Sequence, residues 1–151
     1  MRIRAALRDE IAALSNLCCR SKAHWGYNDA FMALSRDALT VSASHVEAGD
    51  VWVAEVSGAV AGVVSLSATE DQGAVDLDKM FVDPAHMRLG VGRVLMEFAI
   101  AEARRRGFKR LRILADPNAA PFYERMGAVF LRHAPSDAIP GRTLPLYEMV
   151  L

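Results

Sequence analysis

The 151 residues are enough for one domain with its own core, and 52% of them are hydrophobic against 24% charged. Because 18 Lys and Arg balance 18 Asp and Glu, no global field attracts nucleic acid or an anionic membrane, and any anion must be gripped locally. No apolar run nears membrane-spanning length and the start, MRIRAALRDEIAAL, has no long leader core, so the expectation is a single cytoplasmic domain over 1–151 with neither nucleic acid nor membrane as partner.

In chain order, MRIRAAL alternates as a short strand, and Asp9–Cys19 then sets Ile11, Leu14, Leu17 and Cys18 at helical spacing. The adjacent Cys18 and Cys19 have the wrong spacing for a zinc site and read as small apolar helix residues, so no metal is expected. A second helix is expected from Ser35 or Arg36 to Ala48, stopped by Gly49. DVWVAEV and AVAGVVSLSAT are strands joined at Ser57-Gly58, and AVDLDKMFV is a third β run ended by Asp83-Pro84. Gly90–Arg106 is a long amphipathic helix. A strand KRLRILAD, a helix Ala119–Met126, a strand AVFLRH and a last strand RTLPLYEMVL complete the chain. The fold class is α+β, a mostly antiparallel sheet with one β-α-β crossover, whose helix N-terminus faces a crevice of the kind that binds ligands. The cluster RRRGFKR, Arg104–Arg110, closes that helix with a solvated basic face rather than a nucleic-acid patch.

Gly90 and Gly92 enter the helix two residues apart and bare main-chain N–H groups where the helix dipole favours an anion. A dinucleotide fingerprint would need glycine at Leu95, and no Gly-Lys-Ser/Thr follows, so both nucleotide motifs fail. A tight turn that binds nothing is the plain alternative.

The run MFVDPAHMRLGVGRVL, Met80–Leu95, resembles motif A of the GNAT acyl-CoA N-acyltransferases, whose loop reads Q/R-x-x-G-x-G/A. DPNAAPFYERMGAVF, Asp116–Phe130, resembles motif B of the same superfamily, and the element order matches over nearly the whole chain. One departure is that the Q/R position holds Met87, with Arg88 next, so Arg88 or Arg93 would supply the charge. The resemblance implies a GNAT-like fold with splayed fourth and fifth strands, Val75–Val82 and Arg110–Ala115, and flanking helices. It also implies acetyl-CoA as acyl donor, with its pyrophosphate on Met87, Arg88, Leu89, Gly90, Val91, Gly92 and Arg93. The pantetheine arm would pair along Met80, Phe81 and Val82 like an added strand, near Asn118 and Phe122. The acceptor would be a small-molecule or peptide amine, and a homodimer is compatible with the family.

Transfer to an amine needs a neutral nucleophile, donors for the developing oxyanion and a proton for the leaving thiolate. Tyr123 falls at the general-acid position of the resemblance; the alternative is that Phe122 and Tyr123 only pack. Asn118 can cap its helix, bond the pantetheine, or both. For the base, Asp76 stands where many relatives carry glutamate, and strict alternation puts Asp76, Asp78 and Met80 on one strand face, where two carboxylates would raise a pKa. A solvated strand face is the alternative. His24 is the rival base, within SKAHWGYNDAF, a stretch that departs from helical periodicity and that the resemblance assigns to the acceptor site. Arg142 and Asp137 lie in the turn-rich loop HAPSDAIPGR and could meet a substrate. The expected function is N-acetyl transfer by direct attack in a ternary complex; a non-catalytic acyl-CoA-binding sensor or scaffold is the competing expectation.

Overall fold

A computed structural model describes all of residues 1–151. Its elements are β1 (Arg2–Ala5), α1 (Ile11–Ala23), α2 (Asp29–Leu39), α3 (Ala43–Glu47), β2 (Val51–Val56), β3 (Ala59–Ala68), β4 (Ala74–Val82), α4 (Val91–Arg105), β5 (Arg110–Leu114), α5 (Ala120–Arg125), β6 (Val129–Pro135) and β7 (Thr143–Val150). Seven strands form one sheet in the order β1-β2-β3-β4-β5-β7-β6, antiparallel except between β4 and β5. No helix is long and apolar enough to cross a membrane.

Each face of the sheet carries its own apolar cluster. On one face, α4 lays Val91, Leu95, Met96, Ala99 and Ala103 against β2, β3 and β4, all at 1% exposure or less. The approach is so close that Gly62 is required on β3: a Cβ there would sit 2.8 Å from Leu95 Cδ1 and 3.0 Å from the Phe81 carbonyl. On the other face, Leu14, Leu17 and Cys18 of α1 join Leu39, Val41, Val53 and Val63.

The helical hairpin of that second face departs from expectation. Helix α1 runs on to Ala23, and α2 begins at Asp29 because the Asn28 side chain accepts from the Phe31 amide at 2.8 Å. The second helix expected from 35 to 48 breaks at Thr40, which is extended, so that Val41 can bury its side chain to 2% exposure. Its amide is satisfied by Ser15 Oγ at 2.9 Å, and α3 follows as a separate short turn. Core burial and a side-chain partner for one amide outweigh helical periodicity over those residues.

Two irregularities of β4 position the site. It pairs with β5 only through Ala74↔Arg110, Val75↔Leu111 and Asp76↔Arg112, after which the strands part. It also bulges against β3: Ser65 pairs with Lys79 and Leu66 with Leu77, leaving Asp78 as the extra residue. The bulge corrects the alternation expected for Asp76, Asp78 and Met80. Asp76, Lys79 and Phe81 lie on the α1/α2 face with their partners Ser67, Ser65 and Val63, whereas Leu77, Met80 and Val82 join the α4 cluster.

Candidate active site

The parting of β4 and β5 opens a cavity of about 640 Å³ that reaches from the α4 N-terminus to Tyr123. Its floor is the free edge of β4, including Met80, Phe81 and Val82, beyond the last residue that pairs with β5. Unpaired strand edge is main chain with hydrogen bonds to offer.

At the α4 end, the main-chain amides of Arg88, Leu89, Gly90, Val91, Gly92 and Arg93 donate to no acceptor in the chain; the first helical bond there is Val94 N–H to the Gly90 carbonyl. Gly90 and Gly92 serve different ends. Gly90 has φ +80°, a left-handed conformation that only glycine takes without strain, and Arg88 before it is held at φ 65°. Gly92 is helical, and a Cβ there would meet Phe122 and Val82 at an ordinary 3.7 Å, so the fold does not demand glycine at 92. Without a side chain at 92, the free amides beside Phe122 and Val82 stay uncovered. Met87, Arg88 and Arg93 border the cavity, although Arg93 gives its guanidinium to Glu97 at 2.9 Å; the Leu89 side chain is 57% exposed and lies outside it.

At the other end, Tyr123 is 6% exposed, with its ring packed edge-on against Phe122. Burial, reinforced by the nearby Asp116 charge, pushes its phenol well above the usual tyrosine range, so the proton is retained at neutral pH. Asn118 does not cap α5. The chain turns on Asp116, whose carbonyl accepts from Ala119 and Ala120 and whose Oδ1 accepts from the Asn118 amide at 2.8 Å. Asn118 Nδ2 instead donates to Asp116 Oδ1 and to Tyr27 Oη.

These contacts belong to a network that sequence reasoning missed. Asp116 accepts from Lys22 Nζ at 2.5 Å and from Tyr27 Oη at 2.8 Å, and Arg142 donates to Tyr27 Oη at 2.8 Å. Burial would raise the Asp116 pKa, but the bonds from Lys22 and the Asn118 amide prevail and lower it. Tyr27 stacks on Phe31 at 4.0 Å, and the Arg142 guanidinium lies 4.8 Å from the Phe31 ring centre. The α1–α2 turn, the β5–α5 turn and the β6–β7 loop are thereby tied together. The aromatic-polar mixture of SKAHWGYNDAF was the available signal; which residues would meet across the fold was not.

A second cavity, about 550 Å³, opens on the α1/α2 face and is bordered by Asp37, Glu70, Asp76, Asp78 and Asp137. The cations there are engaged within the chain: Lys22 with Asp116, Lys79 with Asp78, Arg112 with Asp71 and Arg142 with Tyr27. Burial pushes the Asp76 carboxyl above the usual range; Arg112 opposes the shift, and Glu70, Asp78 and Asp137 add to it. His24 borders neither cavity. It is exposed just past α1, with its ring edge-on to Trp25, because α1 continues to Ala23 and turns it outward. The structure therefore gathers Tyr123, Asn118, Phe122 and the β4 and α4 residues around one opening, puts Asp76 in the adjoining cavity, and leaves His24 apart.

Residues 47–127, just over half the chain, match the family described as an acetyltransferase (GNAT) domain. No curated protein matches the sequence. The fold is similar to that of a GCN5-related N-acetyltransferase from Rhodopseudomonas palustris, at 20% identity and TM-score 0.78 over 99% of this chain and 95% of the other. It is similar to PaiA N-acetyltransferase from Thermoplasma acidophilum in complex with coenzyme A, at 15% identity and TM-score 0.78 over 99% and 98%. It is also similar to YncA, a putative acetyltransferase from Salmonella typhimurium with its cofactor acetyl-CoA, at 25% identity and TM-score 0.71 over 99% and 93%.

Proposed function

This chain belongs to the GNAT acetyltransferase family, whose chemistry is acyl transfer, and on that premise we propose that it moves an acetyl group from acetyl-CoA to a primary amine by direct attack in a ternary complex. The observation that carries the reading is the row of unpartnered amides from Arg88 to Arg93 at the mouth of the β4/β5 opening. Amides at a helix N-terminus, with glycine clearing their approach, suit a pyrophosphate. Arg88 adds the charge that Met87 lacks. The free edge of β4 at Met80, Phe81 and Val82 gives the pantetheine amides a strand to pair with, and a β4 N–H is at hand for the carbonyl oxygen as it gains charge. Asn118 keeps Oδ1 free of chain donors for a pantetheine amide.

The acceptor enters from the carboxylate-lined cavity as its ammonium. Asp76, directly or through one water, takes a proton and leaves the nitrogen lone pair free to attack; its raised pKa suits that task. As the new C–N bond forms and the C–S bond breaks, Tyr123 gives its proton to the thiolate and regains one through solvent from the nitrogen, and Asp76 releases the proton it took to solvent. The acceptor is thus an amine that reaches the opening from the α1/α2 side. The test is free-thiol release from acetyl-CoA across a panel of amines, with mass detection of the product. Amine-dependent release with the acetylated amine found by mass supports the reading; calorimetric binding of acetyl-CoA without release from any amine reduces the protein to an acyl-CoA-binding module.

A further inference from the structure

The two cavities share few residues, and Asp78 is the only carboxylate that borders both. Lys22 also borders both, but its ammonium is committed to Asp116. Asp78 is the extra residue of the β4 bulge, so its side chain is released from the alternation that sends Asp76 to one face and Leu77 to the other. Its carboxylate is nonetheless fixed. Ser65 Oγ donates to Oδ2 at 3.2 Å and Lys79 Nζ at 3.0 Å, while Oδ1 receives no bond from the chain. Lys79 is 7% exposed, and Asp78 is the one acceptor its ammonium has. A buried ammonium that lost this partner would carry an uncompensated charge, so Lys79 pins the carboxylate as firmly as Asp78 satisfies the lysine.

We infer that Asp78, oriented by Lys79 and Ser65, is the docking group for the acceptor's ammonium, receiving its N–H on Oδ1 where the acceptor cavity opens into the thioester cavity. The assignment rests on the acyl-transfer reading and divides the work between two carboxylates: Asp78 holds the nitrogen within reach of the carbonyl carbon, and Asp76 accepts the proton. Lys79 and Ser65 are positioning residues that act through Asp78. No covalent step is added to the reaction.

The experiment measures thiol release from acetyl-CoA with spermidine, a lysine-containing peptide and benzylamine as probes, on the parent, Asp78→Asn and Lys79→Met. Asparagine keeps the shape and an acceptor for Ser65 but removes the charge. Asp78→Asn should raise KM for the accepted amine about 10- to 100-fold, the range for one charge-assisted hydrogen bond. Its calorimetric affinity for acetyl-CoA should stay in place, and the acid limb of its pH profile should move slightly to lower pH, because the Asp78 charge is one of the smaller causes that hold the Asp76 carboxyl up. Lys79→Met, which frees the carboxylate to rotate, should raise the amine KM by a smaller factor with the same acetyl-CoA affinity. An unchanged amine KM in Asp78→Asn overturns the assignment, as does a parallel loss of acetyl-CoA affinity, which marks a structural role. Release that Asp78→Asn leaves intact sinks the docking role alone, whereas absence of release from the parent with all three amines sinks the acyl-transfer reading and the docking role together.

Discussion

The cavity between β4 and β5 is lined at its α4 end by main chain, with free amides from Arg88 to Arg93 and an unpaired strand edge, whereas its neighbour on the α1/α2 face is lined by charged side chains from α2, β4, β5 and two loops. Main-chain donors are fixed by the path of the chain and need only glycine at the right places. Side-chain clusters depend on which loops meet, and any one member can be exchanged without moving the backbone. The first cavity therefore has the make-up of a site for an invariant ligand, and the second that of a site where the ligand can differ between relatives of one fold.

Filling the space over the amides should break the donor side most completely. Gly92→Val should abolish calorimetric acetyl-CoA binding while the protein still melts cooperatively, because the chain itself leaves ordinary room for a Cβ at 92. Gly90→Val is a poorer probe, since φ +80° strains any side chain there whatever the ligand. Retained affinity in folded Gly92→Val would remove the contrast between the two cavities.

Tyr123→Phe leaves the cavity lining intact but removes the phenol proposed to protonate the leaving thiolate. Acetyl-CoA affinity should hold while kcat falls by as much as about 100- to 10,000-fold, less if water substitutes. Equal turnover would make Tyr123 a packing residue of the α4 cluster.

The acceptor side was far less legible in the sequence than the donor side, and the reasons are physical. Gly90, Gly92, Asp83-Pro84 and the motif around Tyr123 are local signals, each tied to a turn or helix start next to it in the chain. The parting of β4 and β5 followed from family resemblance. Tyr27, Lys22 and Arg142 gained their roles only from tertiary contact, since Tyr27 and Asp116 lie 89 residues apart in sequence. Alternation along β4 misplaced Met80 relative to Asp76 because a bulge adds one residue and reverses the pattern beyond it. Helical periodicity carried the second helix through Thr40 and Val41, where a buried valine and a Ser15 hydroxyl decide otherwise. His24 looked apt by chemistry alone; continuation of α1 turns it away.

Asp76 links the pH behaviour of rate and stability. Its folded pKa lies above the unfolded value of about 3.9, so the native state binds the extra proton and this group's contribution to stability falls as pH rises through that window. Asp76→Asn should accordingly melt higher than the parent at neutral pH, transfer more slowly, and lose or shift the acid limb of the rate profile. His24→Gln should leave that limb where it is. Thermal melts and pH–rate profiles read both effects, and a limb that moves with His24 rather than Asp76 would reassign the base.

The smallest effect is expected from Tyr27→Phe, which removes the hydroxyl joining Asp116, Asn118 and Arg142 but keeps the stack on Phe31. Amine KM should rise several-fold, in line with about 1 kcal/mol for a hydrogen bond, with acetyl-CoA affinity unchanged. A matching loss of acetyl-CoA affinity would mean that the network supports both cavities alike.

The most direct measurement follows the main-chain amide resonances as acetyl-CoA is added to isotopically labelled protein. Large shifts should concentrate at Arg88 through Arg93 and along Met80 to Val82, with slowed hydrogen exchange of the α4 amides and only small changes at Glu70 and Asp137 on the far cavity. Binding that perturbs the far cavity while the amides from Arg88 to Arg93 stay unchanged, or the absence of any shift at saturating acetyl-CoA, would contradict it.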